Sequence, residues 1–400
     1  MSRRAKITRL QIVGAGIFCL LTLLSFARTG ESADRELLTG ASTDPATHPA
    51  IVADTPATRP EIRQSISTGS NGRPKAGQRV IRSGDEIMVC GQLFHTTAPV
   101  VLFTDPGGYD GYRVERRSSA YDKSSWEETQ KANANIKTPT RYGLREDVLT
   151  PREIEIVRGG GWPLELLQEK VDQFVIHFDV CGISKFCFEV LQDDRGLSVH
   201  FLLDIDGTIY QTLDLKERAR HATIANSRSV GIEIANMGAY TANEVNAFKQ
   251  WYAQDKDGRT RITIPARFGD GGVRTPNFVG RPIRNKPVWG VIQGKNRQMY
   301  DLTKEQYDSL IKLTATLCTV FPKIKCDYPK DAAGHLIPHK LDDDAFTKYQ
   351  GILGHYHVQL NKDDPGPAFQ WDLVVNGARK LMARESTSPS TPPASSPYAH

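Results

Sequence analysis

The chain has 400 residues, a formal net charge of +5, and 39% hydrophobic and 8% aromatic residues. This mild charge, without a Lys/Arg stripe interleaved with aromatic residues, argues against nucleic acid as a partner. Once both ends are set aside, the remaining length suffices for one large or two ordinary domains.

The first 30 residues have the order of a secretory signal. Four basic residues between positions 3 and 9 precede an uncharged run from Leu10 to Phe26, which is a basic n-region followed by an apolar h-region. Ser25-Phe26-Ala27 offers a cleavage site, although the run is also nearly long enough to span a bilayer. We therefore expect an exported protein, periplasmic, in the cell envelope or secreted. Residues 1–30 are either a cleaved signal peptide or an uncleaved anchor, the latter being the only expected membrane contact.

Three segments outside the main domain are predicted from composition. Residues 31–75 and 386–400 are rich in Thr, Ser and Pro and poor in aromatic residues, so they bury too little apolar surface to offset their ordering entropy. We predict a disordered linker and a disordered tail. Residues 76–150 contain short alternating segments such as "EIMVCGQLFH", which predict a small β-rich N-terminal module. His95 in this module is interpreted as a packed or surface histidine, because no other ligand type has a suitable spacing nearby.

The pattern of residues 151–385 is mixed α/β. "QFVIHF" and "SVGIEIAN" have the length of buried strands, and "SVHFLLDIDGTIYQTL" predicts two strands that turn at Asp206-Gly207. "SKFCFEVLQDD" predicts a helix, as does "TKEQYDSLIKLTATLCTVF", for which Thr303 is the expected cap. A central sheet with helices against it fits this order. Residues 237–300 are interpreted as a long insertion with a helix in "TANEVNAFKQWYAQ" and β-like pieces such as "PVWGVIQ".

Polar residues end or interrupt the apolar strands of this domain. His177 closes "FVIH", Glu233 lies inside "VGIEIA", His355 follows "GILG", and Asp364 begins an Asp-Pro-Gly turn with Lys362 two residues before it. A catalytic zinc site needs three protein ligands, commonly two imidazoles with a carboxylate or thiolate. Taken singly, each histidine could instead be a satisfied core residue, and Glu233 a salt-bridged or solvent-facing strand residue.

The ordered motifs "FVIHFDV", "HFLLDIDGTIYQ", "RHA", "NSRSVGIEIAN", "GILGHYHV" and "KDDPGPAFQWD" carry a family resemblance. The chain resembles the zinc-dependent N-acetylmuramoyl-L-alanine amidases of type 2, which include phage-lysozyme amidases, wall-recycling amidases and peptidoglycan recognition proteins. The resemblance covers about residues 172–236 and 302–381. It implies a central mixed β-sheet flanked by helices, and peptidoglycan or a muropeptide as substrate.

The resemblance also implies roles for individual residues. It implies Zn²⁺ on His177, His355 and Asp364, and catalytic roles for Glu233 and Lys362. Substrate contacts are implied for His221 and Asn226. Ser229 completes the Asn-x-x-Ser motif.

Some positions depart from the family pattern. Val199 stands where phage-type members carry a catalytic tyrosine, which leaves Glu233 as the base. The spacing of the last two ligands is one residue shorter than in the recycling enzymes. His357 and Asp363 are alternative ligands within the same loop, beside the preferred His355 and Asp364.

Cysteine usage bears on the compartment. In an oxidising compartment either close pair, Cys181 with Cys187 or Cys318 with Cys326, could form a disulfide. Cys181 and Cys187 resemble the disulfide of peptidoglycan recognition proteins, which favours an exported enzyme. Cys90 has no close cysteine.

The residues favour one of three candidate functions. The preferred one is hydrolysis of the amide between N-acetylmuramic acid and the L-alanine of the stem peptide. The alternative is a non-catalytic module that binds peptidoglycan, as relatives lacking a ligand do. A zinc peptidase of the H-E-x-x-H type is excluded because the chain lacks that motif.

Overall fold

The computed structural model describes residues 76–387. The predicted signal or anchor, the linker and all but the first two residues of the predicted tail lie outside this range. The strands are β1 Glu86–Val89, β2 Gln92–His95, β3 Val100–Leu102, β4 Tyr142–Gly143, β5 Gln173–Phe178, β6 Phe201–Leu203, β7 Ile209–Gln211, β8 Arg218–Ala219, β9 Ser229–Ile234, β10 Tyr252–Gln254, β11 Thr260–Ile262, β12 Val288–Ile292, β13 Lys295–Met299 and β14 Gly351–Gly354. The α-helices are α1 Trp126–Ala132, α2 Pro151–Gly160, α3 Leu164–Lys170, α4 Ser184–Glu189, α5 Asn246–Trp251, α6 Lys304–Val320, α7 Asp343–Lys348, α8 His355–Val358 and α9 Trp371–Thr387. Helix α4 continues into a π-helix, Val190–Arg195.

A six-stranded mixed sheet forms the centre of the fold, in the order β14-β5-β9-β6-β7-β3. Strands β14, β5, β9 and β6 run parallel, β7 is antiparallel to β6, and β3 is parallel to β7. Because the four parallel strands share one direction, their carboxyl ends meet at one edge of the sheet. The structure confirms the predicted fold class, a mixed central sheet flanked by helices.

The two faces of the sheet are covered differently. Phe174 and Ile176 of β5 and Ile232 of β9 belong to the main core cluster, which also contains Leu310 of α6 and Val374 of α9. Alternate strand residues point to opposite faces, so Val175, His177 and Glu233 lie on the other face. There, Val175 packs in a smaller cluster with residues of the loop before β9 and with helix α7. The polar residues singled out on β5 and β9 therefore face away from the two long helices.

Two local predictions are confirmed in detail. Strands β6 and β7 form the hairpin expected around Asp206-Gly207. Helix α6 begins after Thr303, whose hydroxyl accepts a hydrogen bond from the Gln306 N–H while the Gln306 side chain bonds back to the Thr303 N–H. This capping box satisfies two backbone donors at the helix start.

The N-terminal region contributes to the central sheet. Strands β1 and β2 form a hairpin, and β3 is the edge strand beside β7. Ile87 and Val100 are part of the same core cluster as β5 and β9. Residues predicted as a β-rich module thus share a core with the residues that follow them.

The predicted insertion contains helix α5 and two hairpins, β10–β11 and β12–β13. Phe248 and Trp251 of α5 pack with Ile183 and Met237 in a separate apolar cluster. The insertion therefore has its own small core on the side of the loop after β5.

None of the helices within residues 76–387 is long and apolar enough to cross a bilayer. The candidate anchor between Leu10 and Phe26 lies outside the described residues.

Candidate metal centre

The carboxyl edge of the sheet brings the predicted ligands together. His177 is the penultimate residue of β5, His355 follows β14 directly, and the two strands are neighbours in the sheet. Asp364 is held beside them because the Tyr356 N–H donates to the Asp364 carbonyl at 3.1 Å. All three side chains are buried, with at most 6% of any of these residues exposed.

The three candidate ligand atoms form a nearly equilateral triangle. His177 Nδ1 lies 2.9 Å from His355 Nδ1 and 2.9 Å from Asp364 Oδ2, and His355 Nδ1 lies 3.0 Å from the same oxygen. Each group presents one atom to a common centre, as a three-ligand metal site requires.

Hydrogen bonds at the far side of each imidazole orient the rings. His355 Nε2 contacts Gln359 Oε1 at 2.6 Å, so this nitrogen carries the proton and Nδ1 presents its lone pair. His177 Nε2 contacts His221 Nδ1 at 3.0 Å, and His221 Nε2 contacts Ser229 Oγ at 3.2 Å. We assign the protons along this chain so that His177 Nδ1 also presents a lone pair.

This assignment tests whether the residues fit a metal ion. Two nitrogen lone pairs and a carboxylate oxygen about 3 Å apart repel one another, and a cation between them removes the repulsion. Two imidazoles with a carboxylate are a common ligand set for catalytic zinc. The donor set therefore fits Zn²⁺.

The electrostatics of the triangle agree with a cation-binding role. Burial, together with the neighbouring His355, lowers the pKa of His177 to about 4, which keeps its imidazole neutral at pH 7. Burial alone would raise the pKa of Asp364, but His355 and His177 hold it below its usual range. At neutral pH the triangle thus contains a neutral imidazole at His177 and a carboxylate at Asp364.

Glu233 lies next to this triangle, opposite His177 in the register of β5 and β9. Burial raises its pKa well above the usual value, and the charge of Asp364 adds to the shift. Among residues 76–387, no group hydrogen-bonds to the enclosed Glu233 Oε2. A carboxyl group in this state is suited to accept and release a proton.

Asp179, two residues after His177, is a second carboxylate near Glu233. Its Oδ1 accepts hydrogen bonds from the N–H groups of Cys181, Gly182 and Asn236 at 2.9 to 3.1 Å. Burial raises its pKa to about 7. The motif "FVIHFDV" contains this residue, but its pattern alone assigns it no role.

The remaining predicted residues occupy different surroundings. Lys362 is half-buried, and its charge acts to lower the pKa of both His177 and Glu233. Asn226 Oδ1 accepts hydrogen bonds from the N–H groups of His221 and Ala222, at 3.1 and 2.7 Å. Asn226 therefore shapes the loop that carries His221, and substrate contact by either residue stays a prediction.

The two alternative ligands have other partners. His357 Nδ1 accepts from the Gly354 N–H at 2.8 Å, and its Nε2 donates to the Ile337 carbonyl at 2.8 Å. Asp363 accepts from Arg297 Nε at 2.8 Å. The side chains of His357 and Asp363 therefore stabilise the loop through these hydrogen bonds. The preferred ligands, His355 and Asp364, point to the common centre.

Gly231 allows the His221 ring to lie against β9. A Cβ atom at position 231 would lie 2.5 Å from two atoms of that ring. His200 Nδ1 accepts the Gly231 N–H at 3.1 Å. The glycine of "VGIEIA" is thus required by packing beneath the site.

Sequence reasoning missed a buried arginine that supports the same loop. Arg145 is fully buried and donates to the carbonyls of Asn226, Ser227, Ser229 and Leu215 at 2.9 to 3.1 Å. Burial lowers the pKa of its guanidinium to about 9. Nothing in "RYGLRED" distinguishes it from a surface arginine, since its partners are backbone carbonyls far along the chain.

Comparison with known proteins finds one family model that matches part of the chain. Residues 167–269 match the family model for N-acetylmuramoyl-L-alanine amidase. The match includes His177, His221, Asn226 and Glu233, whereas His355 and Asp364 lie beyond it. No curated protein matches the chain.

Solved structures of amidases are also similar to the chain. A selenomethionine derivative of AmpD has 16% sequence identity and a TM-score of 0.27, over 59% of this chain and 89% of that one. The amidase LysC from Clostridium intestinale URNW has 14% identity and a TM-score of 0.25, over 54% and 87% of the two chains. The endolysin amidase LysCS from the same organism has 16% identity and a TM-score of 0.25, over 54% and 86%.

The family match covers residues 167–269 of the 400 residues. The resemblance to the type 2 N-acetylmuramoyl-L-alanine amidases is confirmed for this segment, which carries the candidate ligand His177 and Glu233. The other two candidate ligands, His355 and Asp364, lie beside His177 in the fold.

Proposed function

We propose that the protein is a zinc-dependent N-acetylmuramoyl-L-alanine amidase acting on peptidoglycan. The observation that carries the proposal is the buried triangle of His177, His355 and Asp364 beside Glu233, in a chain whose residues 167–269 match the amidase family model. When bound by these three residues, zinc supplies a Lewis acid that polarises the scissile carbonyl and makes water reactive at neutral pH.

The protein residues account for the proton transfers. Glu233 accepts a proton from the attacking water and passes it to the leaving nitrogen of L-alanine. The C–N bond breaks, the hydroxyl group stays on the lactyl carbonyl carbon, and the amine leaves with the added proton. Lys362 stabilises the negative charge that develops on the carbonyl oxygen.

A non-catalytic binding module is the competing function. Such a module has no use for two lone-pair nitrogens and a carboxylate aimed at one point, nor for a buried carboxyl group beside them. A zinc titration separates the two functions, because a degenerate binder should purify without stoichiometric zinc.

Replacement of Glu233 tests the assigned base. Glu233→Gln should keep one zinc per chain but lose at least about 100-fold in turnover, since a general base contributes roughly 10² to 10⁴. Glu155→Gln, at an exposed position, is the matched control. Zinc content by elemental analysis and release of L-alanine-terminated peptides are the two readouts. Turnover near the wild-type rate in Glu233→Gln would end this role.

Export and a disulfide form the second part of the proposal. The basic and apolar N-terminus supports export. Cys181 and Cys187 are buried side by side with interacting thiols. We expect the exported protein to resist thiol labelling at these two positions until a reductant is added. Labelling of both in the denatured, unreduced protein would contradict the disulfide.

A further inference from the structure

The second hairpin of the insertion, β12–β13, packs directly on the loop that carries two of the candidate ligands. Register pairs Gly290 with Arg297 and Val288 with Met299, so these four residues share one face of the hairpin. A Cβ atom at Gly290 would lie 2.7 Å from Pro367 Cβ, and one at Gly366 would lie 2.5 Å from Met299 Sδ. This face therefore has no spare room against residues 366–367.

The hairpin tip contacts the helix that begins with His355. Gln293 Nε2 donates to the carbonyls of Tyr356 and Gln359 at 2.8 and 2.9 Å. The Gln293 Oε1 accepts from the Lys340 N–H at 3.1 Å. The Gln293 side chain thus satisfies two carbonyls at the end of α8. One of them belongs to Gln359, whose side chain orients His355.

The backbone at Gln293 is also unusual. Its φ of 51° and that of Gly294, 71°, lie in the left-handed region that two-residue hairpin turns require. Asparagine, aspartate or glycine is the common choice at the first position of such a turn. Glutamine at this position is conformationally less favourable, but its side chain is longer than that of asparagine and its amide reaches α8.

The second strand contacts the other end of the loop. Arg297 Nε donates to Asp363 Oδ2 at 2.8 Å, with 14% and 24% of the two side chains exposed. Asp363 precedes the candidate ligand Asp364. A largely buried ion pair of this kind is costly to break on one side only, because it leaves the partner charge uncompensated.

We propose that the β12–β13 hairpin positions the metal-ligand loop, with Gln293 setting His355 through helix α8 and Arg297 setting Asp364 through Asp363. The inference rests on the proposed function only in assigning these ligands to zinc. Both are positioning residues in a segment outside the six ordered motifs of the amidase resemblance.

Hydrogen exchange of the full-length protein without metal tests the positioning directly. In Gln293→Ala and in Arg297→Ala, peptides covering residues 355–368 should exchange faster, while peptides of β5 and β9 keep wild-type rates. Arg259→Ala is the matched control, because its ion pair with Asp257 lies in the same insertion and is exposed. Arg297→Lys keeps a cation opposite Asp363 and should recover part of the protection.

Zinc affinity, measured by competition with a chelator, is the second readout. Each alanine variant should bind zinc about tenfold more weakly, the lower end of the usual effect of residues supporting metal ligands. Unchanged exchange in the loop and unchanged affinity in both variants would overturn the proposal, as would faster exchange spread equally over β5. If the wild-type protein binds no zinc while the variants still loosen the loop, the proposed function fails and the positioning stands.

Discussion

At the scale of single residues, the site is defined by which nitrogen of each histidine faces the centre. His177 and His355 both present Nδ1, and each has its Nε2 occupied, by His221 and Gln359 respectively. His221 was predicted from the family resemblance to touch substrate. Its contact with His177 gives it a position where it can also orient a metal ligand.

Replacement of His221 separates these two roles. If it orients His177, His221→Ala should weaken zinc binding by about 10- to 100-fold. His221→Gln keeps a polar group near His177 Nε2 and should recover part of this loss. His335→Ala, at an exposed histidine, is the control. A raised KM with unchanged zinc affinity would instead assign His221 to substrate contact alone.

At the scale of elements, the parallel strands position the candidate site residues, and the capped helix α6 packs on the sheet behind them. His177 lies near the carboxyl end of β5, which is flanked by β14 and β9, so the candidate site residues of these strands meet at one edge of the sheet. Helix α6 packs on the face of the sheet opposite the candidate site. The position of its first turn is fixed because the Thr303 hydroxyl also donates to the Ile205 carbonyl at 2.8 Å. The cap thus ties the helix to the loop that joins β6 and β7.

Removal of this cap should cost measurable stability. Thr303→Ala should lower the free energy of unfolding by about 1 to 2 kcal/mol, the upper part of the usual range for a lost N-cap, because the site is buried. Thr150→Ala removes a similar but exposed capping box at helix α2 and should cost less. Urea unfolding of both variants gives the comparison. An equal or larger loss in Thr150→Ala would contradict the assigned importance of burial.

At the scale of the whole molecule, the sequence predicts local features better than long-range ones. The strand "QFVIHF", the turn at Asp206-Gly207 and the cap at Thr303 each depend on neighbouring residues and are confirmed. Two features depend on contacts between residues that are 70 or more positions apart in the sequence. They are the pairing of β3 with the central sheet and the hydrogen bonds from Arg145 to backbone carbonyls. No local period or spacing signals such contacts.

The same division applies to the site. His177, His355 and Asp364 stand out at strand ends and a turn, the family resemblance implies them as a ligand set, and the structure brings them together. Gln293 and Arg297 sit in a segment whose pattern indicates only an insertion with β-like pieces. Their contacts with the ligand loop emerge from the fold alone.

The most direct test of the account is mass spectrometry of peptidoglycan digested by the purified full-length protein, with and without a chelator. A zinc amidase should release free stem peptides beginning at L-alanine, which are absent after chelation and restored by added zinc. Muropeptides that keep the amide between N-acetylmuramic acid and L-alanine, although the protein holds one zinc per chain, would contradict it.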